Sequence, residues 1–177
     1  MVDPDDEAAW RELAASYDAM ATEWPGWVLS QPDYLRPLEA ALREVPATGV
    51  ALEVGCGTGE ASALLAAHWS SFVASDQSFE MLRAGAYASW SRICADVRSL
   101  PFPDGSLSAV VGLNAVPHLN EFRRVLGPAG RLVWCSSFRE TTPLYLDPER
   151  LVTALGSEWQ AVTRRVAHGD FTICLRS

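Results

Sequence analysis

The sequence contains no run of lysine or arginine, and its densest basic spots are the pairs Arg123–Arg124 and Arg164–Arg165. Twenty-two acidic residues against fourteen basic ones leave a net charge of −8. A nucleic-acid binder neutralises phosphates with a basic stripe, so neither DNA, RNA nor an anionic membrane is the expected partner. Cysteine is scarce: Cys56, Cys94, Cys135 and Cys174 stand far apart and form no C-x-x-C pair, so no metal site is expected. Each falls in or beside an expected strand, where a free thiol packs as a small hydrophobe, and a reducing, cytoplasmic setting is expected. No stretch approaches the 18 apolar residues of a membrane span. The opening MVDPDDEAAW is acidic without an apolar run, which does not read as a signal peptide. There is no internal repeat and no low-complexity tract.

What remains has the composition of a folded domain. Hydrophobic residues make up 49% and charged residues 20% of 177 positions, near the globular average. That length suits one domain with a substantial core. The expected organisation is an N-terminal helical cap over 1–48, a ligand-binding core over 49–136, and a C-terminal helix and hairpin over 137–177.

Trp10, Leu13, Tyr17 and Met20 recur at spacings of three and four, so residues 5–21 read as an amphipathic helix. Residues 23–32, broken by Pro25, Gly26 and Pro32, read as a loop, and a helix follows over 34–45. The pattern then alternates. Strands are expected at 50–54, 72–75, 92–95, 107–113 and 131–136, and helices at 60–68, 79–88, 120–126 and 148–155. Ser78 is placed to cap the helix at 79. Asp104-Gly105 supplies a bend, and Gly127 and Gly130 flank a turn. Residues 160–167 and 171–175 read as a hairpin across His168-Gly169-Asp170. The near-continuous apolar run at 107–113 is that of a strand buried on both faces. Alternating strands and helices imply an α/β fold with a mostly parallel sheet covered on both sides, and the hairpin implies an antiparallel edge strand.

The strongest motif is LEVGCGTGE between a strand and a helix. Glycines at alternate positions let the backbone turn tightly and lie close to a ligand. A dinucleotide loop would read G-x-G-x-x-G. Counted from Gly55, its third glycine would fall on Glu60, whose carboxylate would repel a pyrophosphate. Glu53 suits a ligand carrying a positive group, and helix amides suit a carboxylate; an amino-acid moiety offers both. Asp76, ending the next strand, reads either as a helix N-terminal carboxylate favoured by the dipole or as an acceptor for both hydroxyls of a ribose. The upstream loop favours the ribose. Asp96, ending the third strand, is placed to accept from an adenine amino group, with Val97 beside it; locally it reads equally well as a loop residue before a turn.

The ordered blocks LEVGCGTGE, SDQSFEML, CADVRSLPFPDGSLSAVV and FRRVLGPAGRLVW resemble the class I S-adenosylmethionine-dependent methyltransferases, nearest the large small-molecule-type branch. The resemblance covers about half of the chain. It implies a Rossmann-like, doubly wound, seven-stranded sheet with an antiparallel final strand, and S-adenosylmethionine as cofactor. It places Glu53, Gly55, Cys56 and Gly57 at the methionine end, Asp76 and Gln77 at the ribose, and Asp96 and Val97 at the adenine. Tyr17-Asp18-Ala19-Met20-Ala21 resembles the Y-D-x-x-A segment of the same branch, which makes Tyr17 either a lid residue or a buried-face aromatic. Asn114 and His118 follow the fourth strand, where ligands gather in open α/β sheets. His118 is the candidate general base, with packing at a helix start as its other reading.

The chain departs from the family in one place: the segment between the fourth and fifth strands is short. The acceptor site is therefore expected to be open, or completed by aromatics such as Trp24, Trp27 and Trp134, or by another subunit. The implied activity is methyl transfer to a small-molecule acceptor. A cofactor-binding protein without catalysis and a protein methyltransferase stand as alternatives. A nicotinamide oxidoreductase is disfavoured by the loop spacing.

Overall fold

The computed structural model describes residues 7–85 and 90–177. Three helices come first, α1 (Glu7–Met20), α2 (Trp24–Leu29) and α3 (Arg36–Leu42). Then follow β1 (Val50–Val54), α4 (Ser62–His68), β2 (Ser71–Asp76), α5 (Phe79–Ala84), β3 (Ser91–Cys94) and β4 (Leu107–Leu113). The chain continues through α6 (Leu119–Val125), β5 (Leu126–Ser136), α7 (Pro148–Leu155), β6 (Trp159–Val166) and β7 (Gly169–Arg176).

The seven strands form one sheet in the order β3-β2-β1-β4-β5-β7-β6. The pairings among β1 to β5 are parallel, and those of β7 with β5 and of β6 with β7 are antiparallel. The antiparallel end is where the hairpin placed it, with β7 inserted between β5 and β6. The hairpin turn is tighter than expected. Only Ala167 and His168 lie between the strands, with Ala167 at φ 52°.

Side chains alternate across each strand, and both faces are covered. Ala51, Val111 and Val133 join Leu38, Leu65 and Phe171 on one side. Leu52, Val110, Leu132 and Trp134 join Phe122, Leu151 and Leu155 on the other. This two-sided burial explains why the central strands read as apolar runs without alternation, each fully buried Leu or Phe contributing roughly 1.5–3 kcal/mol. Trp134 lies across the strand pair onto Gly112, where a Cβ would fall 2.4 Å from the indole. Trp134 is thus core and walls no acceptor site.

Two expectations are corrected. Residues 24–29 are helical, not loop. Pro25 occupies the first turn, where a missing N–H leaves no helical hydrogen bond unmade. β5 starts at Leu126, not at 131, because Leu126 pairs with Leu107 ahead of a register shift. β1, β4 and α7 keep their expected bounds, and elsewhere described ends move by up to three residues; α4, for instance, begins at Ser62 and α3 at Arg36. The expected helix over 79–88 is described through Ala84, and its residues 86–88 lie outside the described residues, as do residues 5 and 6 of the first helix. Ser78 caps α5 as expected, its Oγ accepting the Met81 N–H at 3.0 Å. No helix among the described residues is long and apolar enough to cross a membrane.

Candidate functional site

The strand order reverses between β1 and β4, and the crevice outside their carboxyl ends is where open α/β sheets bind ligands. A cleft opens there, the concave kind of place at which such sheets hold small molecules. Glu53 and Val54 end β1, Ser75 and Asp76 end β2, Ala95 follows β3, and Leu113 and Asn114 close β4, all on the cleft wall. Helix α1 supplies the opposite wall through Trp10, Leu13, Ala14 and Tyr17.

The glycine loop turns beneath this cleft with Gly55, Gly57 and Gly59 at φ 68°, 54° and 93°, a left-handed backbone that side chains disfavour. Its amides largely build the loop itself. Cys56 N donates to the Ser75 carbonyl at 3.0 Å and Gly59 N to the Cys56 carbonyl at 2.9 Å. Gly57 N donates to Asp76 Oδ2 at 2.7 Å. That last bond ties the loop to the end of β2, and Ser78 N holds the other carboxylate oxygen, Oδ1, at 2.8 Å.

Electrostatics distinguish the ligand class. Glu53, Glu60 and Asp76 line the cleft, and no Arg, Lys or His does so among the described residues. Glu53 is 2% exposed and accepts a hydrogen bond from Ser62 Oγ at 2.6 Å. Burial pushes its carboxyl up to about 8, against the lowering effect of Ser62, and the nearby charges of Asp76 and Glu60 add to the rise. Asp76 is also raised by burial, which outweighs the backbone N–H groups of Ser78, Gly57 and Gln77. Such a site favours a ligand bearing positive charge and opposes a pyrophosphate. The cationic sulfonium and ammonium of S-adenosylmethionine fit it.

Of the residues expected at the cofactor, Tyr17, Glu53, Gly55, Cys56, Gly57, Asp76, Gln77, Val97 and Asn114 are brought together on the cleft wall. Asp96 is not. Arg98, two residues on, folds back and binds its carboxylate through Nε and Nη2, at 2.7 Å for the shortest contact, and Ala95 and Val97 line the cleft at that end instead. His118 also lies off the cleft. It stands at the N-cap of α6, its Nδ1 buried without a partner among the described residues, within electrostatic reach of Asp96 and Glu121.

A second, more apolar chamber adjoins the cleft. The two share Tyr17, Trp24, Tyr34, Asn114 and Leu144; Met20, Glu23, Trp27, Thr142 and Pro143 complete the chamber. Aromatic rings run along it from Tyr17 to Trp24, Trp27 and Tyr34, with centroids 5.7, 5.0 and 5.8 Å apart. Trp24 and Trp27, two of the aromatics expected to wall an open site, both line this chamber. Tyr34 and the 142–144 segment were not singled out in the sequence. Tyr34 reads there only as a helix start, and nothing local signals that residues 142–144 fold back over Asn114.

The architecture is that of a Rossmann-like α/β nucleoside-binding fold. A methyltransferase domain family matches residues 52–134. The chain is 35% identical to the malonyl-[acyl-carrier protein] O-methyltransferase of Herminiimonas arsenicoxydans, over 91% of its own length and 64% of that protein. It is 34% identical to the demethylmenaquinone methyltransferase of Mycolicibacterium vanbaalenii, over 86% and 72% of the two chains. The chain thus spans somewhat under two thirds of the first relative. A crystal structure of an S-adenosylmethionine-dependent methyltransferase from Thermotoga maritima shares the fold, with TM-score 0.74 and 16% identity over 91% of this chain and 98% of that one. The chain belongs to the class I S-adenosylmethionine-dependent methyltransferases, and S-adenosylmethionine is the cofactor of this family.

Proposed function

We propose that this chain, as a single domain, transfers the methyl group of S-adenosylmethionine to a small-molecule acceptor held in the aromatic chamber. The observation that carries this reading is the shared wall. Tyr17, Trp24, Tyr34, Asn114 and Leu144 border both spaces, so a ligand in each would meet at one junction. The site lies on a chain with no membrane-crossing helix among its described residues, which agrees with work in the cytoplasm.

Bound there, the cofactor supplies a methyl group already electrophilic through its sulfonium. Glu53 receives the ammonium end, Asp76 the ribose hydroxyls, and Ala95 and Val97 the adenine face. Tyr17 and the rest of α1 cover the junction and exclude water. Asn114 is held in the left-handed region, at φ 52°, with its amide fixed from both sides by Ser137. Ser137 N donates to Oδ1 at 2.9 Å and Nδ2 donates to Ser137 Oγ at 2.8 Å. Strain of this kind persists where the surroundings over-determine a residue, and here it gives the junction a rigid floor. An acceptor seated in the chamber would present its lone pair to the methyl group that a cofactor in the cleft would supply, the carbon–sulfur electrons staying with sulfur. No imidazole lines either space among the described residues, so the acceptor's proton passes to solvent at the chamber mouth. The chain's contribution is positioning, which can supply on the order of 7–11 kcal/mol of a barrier.

Calorimetric titration with S-adenosylmethionine, S-adenosylhomocysteine and NADH tests the cofactor half. Binding of the two sulfur compounds and not NADH is expected, and binding of NADH alone would overturn it. Transfer of labelled methyl to a small-molecule pool tests the catalytic half. Label on protein instead would mark a protein methyltransferase, and binding without any transfer a non-catalytic cofactor binder.

A further inference from the structure

The Arg164–Arg165 pair takes no part in the site. It lies in β6, at the edge of the sheet, with β5 and β7 between it and the strands of the cleft. β6 pairs with β7 over its whole length without a bulge, and no described strand pairs with its other edge. β3, the opposite edge, is only four residues long. Proteins guard a long free edge with lysine, proline or a bulge. This chain has no lysine at all, and β6 holds no proline. Arg164 turns onto Glu44 of its own chain, Nε donating at 2.7 Å, and Arg165 stands opposite Asp170 of β7.

Alternation along an antiparallel pair fixes which backbone groups point outward. Ser177 N donates to the Glu158 carbonyl at 2.9 Å, so Gln160, Val162, Arg164 and Val166 exchange their bonds with β7 and the residues between them face out. Thr163 and Thr172 agree, their hydroxyls 2.9 Å apart, the close approach of a pair without ladder bonds. The N–H and C=O groups of Ala161, Thr163 and Arg165 therefore form the open edge.

That edge is complementary to itself. With a second copy antiparallel to it and Val162 on the two-fold axis, Ala161 of each copy exchanges both backbone bonds with Thr163 of the other. Val162, 48% exposed in the single chain, meets its own counterpart in a close pair. Arg164 faces Gln160 of the second copy, so no like charges stand opposite one another. Glu158 lies diagonal to Arg164 of the second copy on the same face, within reach of long side chains. Arg164 spends only Nε on Glu44, and its terminal nitrogens carry further donors for that carboxylate.

We infer that the edge of β6 is a homodimer surface, on which two copies of this chain join antiparallel about Val162 into one continuous sheet. The contact is isologous, so it closes at two copies. It lies away from β1 and β4 and leaves both clefts open. One strand edge is a small area, which places the dimer in the weak, transient class. The inference is independent of the methyltransferase reading.

The test is sedimentation velocity of the full chain from low micromolar concentration upward, where a monomer–dimer equilibrium is expected. Val162→Lys and Val162→Glu should each weaken self-association by about five-fold, because like charges then stand directly opposite. An equimolar mixture of the two variants should recover a dimer holding one copy of each, which shows both that the variants fold and that residue 162 faces its own counterpart. A chain that stays monomeric at every concentration overturns the inference and leaves the edge to an extended segment of another protein. So does a dimer indifferent to both substitutions, or a mixture that associates no better than either variant alone.

Discussion

Glu53 should make the affinity for the cofactor depend on pH in the neutral range, several units above the window in which an ordinary surface carboxylate titrates. With its carboxyl pushed up to about 8 by burial, roughly one molecule in ten carries the charge at pH 7 and about one in a hundred at pH 6. An ammonium ligand selects the ionised form, so apparent affinity scales with that fraction. Binding should tighten by roughly twenty-five-fold between pH 6 and pH 8 and pass through a maximum there, because the ligand's own α-amino group loses its proton near pH 8. At pH 7 each binding event should release close to one proton, measurable by calorimetry in buffers of different ionisation enthalpy.

Linkage fixes the sign for the free protein as well. The folded-state value lies above the ordinary 4.5, so this group's contribution to stability is complete below about 4.5 and is lost as pH rises through about 8. Glu53→Gln should flatten both profiles and weaken binding at pH 8. Ser62→Ala, which removes the hydrogen bond that favours the charged form, should weaken binding at pH 7 while preserving the slope. A dissociation constant that stays level from pH 6 to pH 8, or proton uptake on binding, would refute the assignment of Glu53 to the ammonium.

Asp76→Ala should cost about 1–3 kcal/mol of cofactor binding, the worth of charge-assisted hydrogen bonds, and should also lower the melting temperature, since it orphans the N–H groups of Gly57 and Ser78; calorimetric titration and thermal unfolding read the two separately. His118→Ala should leave turnover unchanged once an acceptor is in hand, because the ring lines neither space; a loss of roughly 10²-fold or more would return it to the role of general base. Gly112→Ala should lower stability by about 1–3 kcal/mol through overpacking against the Trp134 indole, read as a fall in melting temperature.

The parts of the fold legible in the sequence were those set by local chemistry. Residues 50–54 and 107–113 are apolar runs between glycine-containing or polar breaks, and β1 and β4 keep those bounds. Pro148 opens α7 and Gly156 follows its end, again as read. Helix α2 escaped notice because Pro25 and Gly26 were weighed as breakers, although proline is harmless in a first helical turn. Glu53, Asp76 and Asn114 were legible as cleft residues because each lies at or just past the end of a strand, and parallel strands deliver their carboxyl ends to one place. Asp96 satisfies the same rule of position, yet Arg98 is close enough in the chain to capture its carboxylate. The apolar chamber is legible only in part: Trp24, Trp27 and Asn114 read as site residues, whereas Tyr34 and Leu144 come from segments with no shared pattern and join them only through tertiary packing.

Polar ties hold the wall formed by α1 near each of its ends. Glu7 pairs with Arg98 Nη1 at 2.6 Å, above a ring contact between Arg98 and Trp10, and Asp18 accepts from Ser78 Oγ at 2.5 Å. Ser78 uses its proton for Asp18 and a lone pair for Met81 N, so letting go of α1 leaves the cap of α5 in place. The Glu7–Arg98 pair, with Glu7 more than half exposed, is of the kind worth about 0–1 kcal/mol. These polar ties at the two ends of α1 can thus be broken without disturbing the strands that carry Glu53 and Asp76.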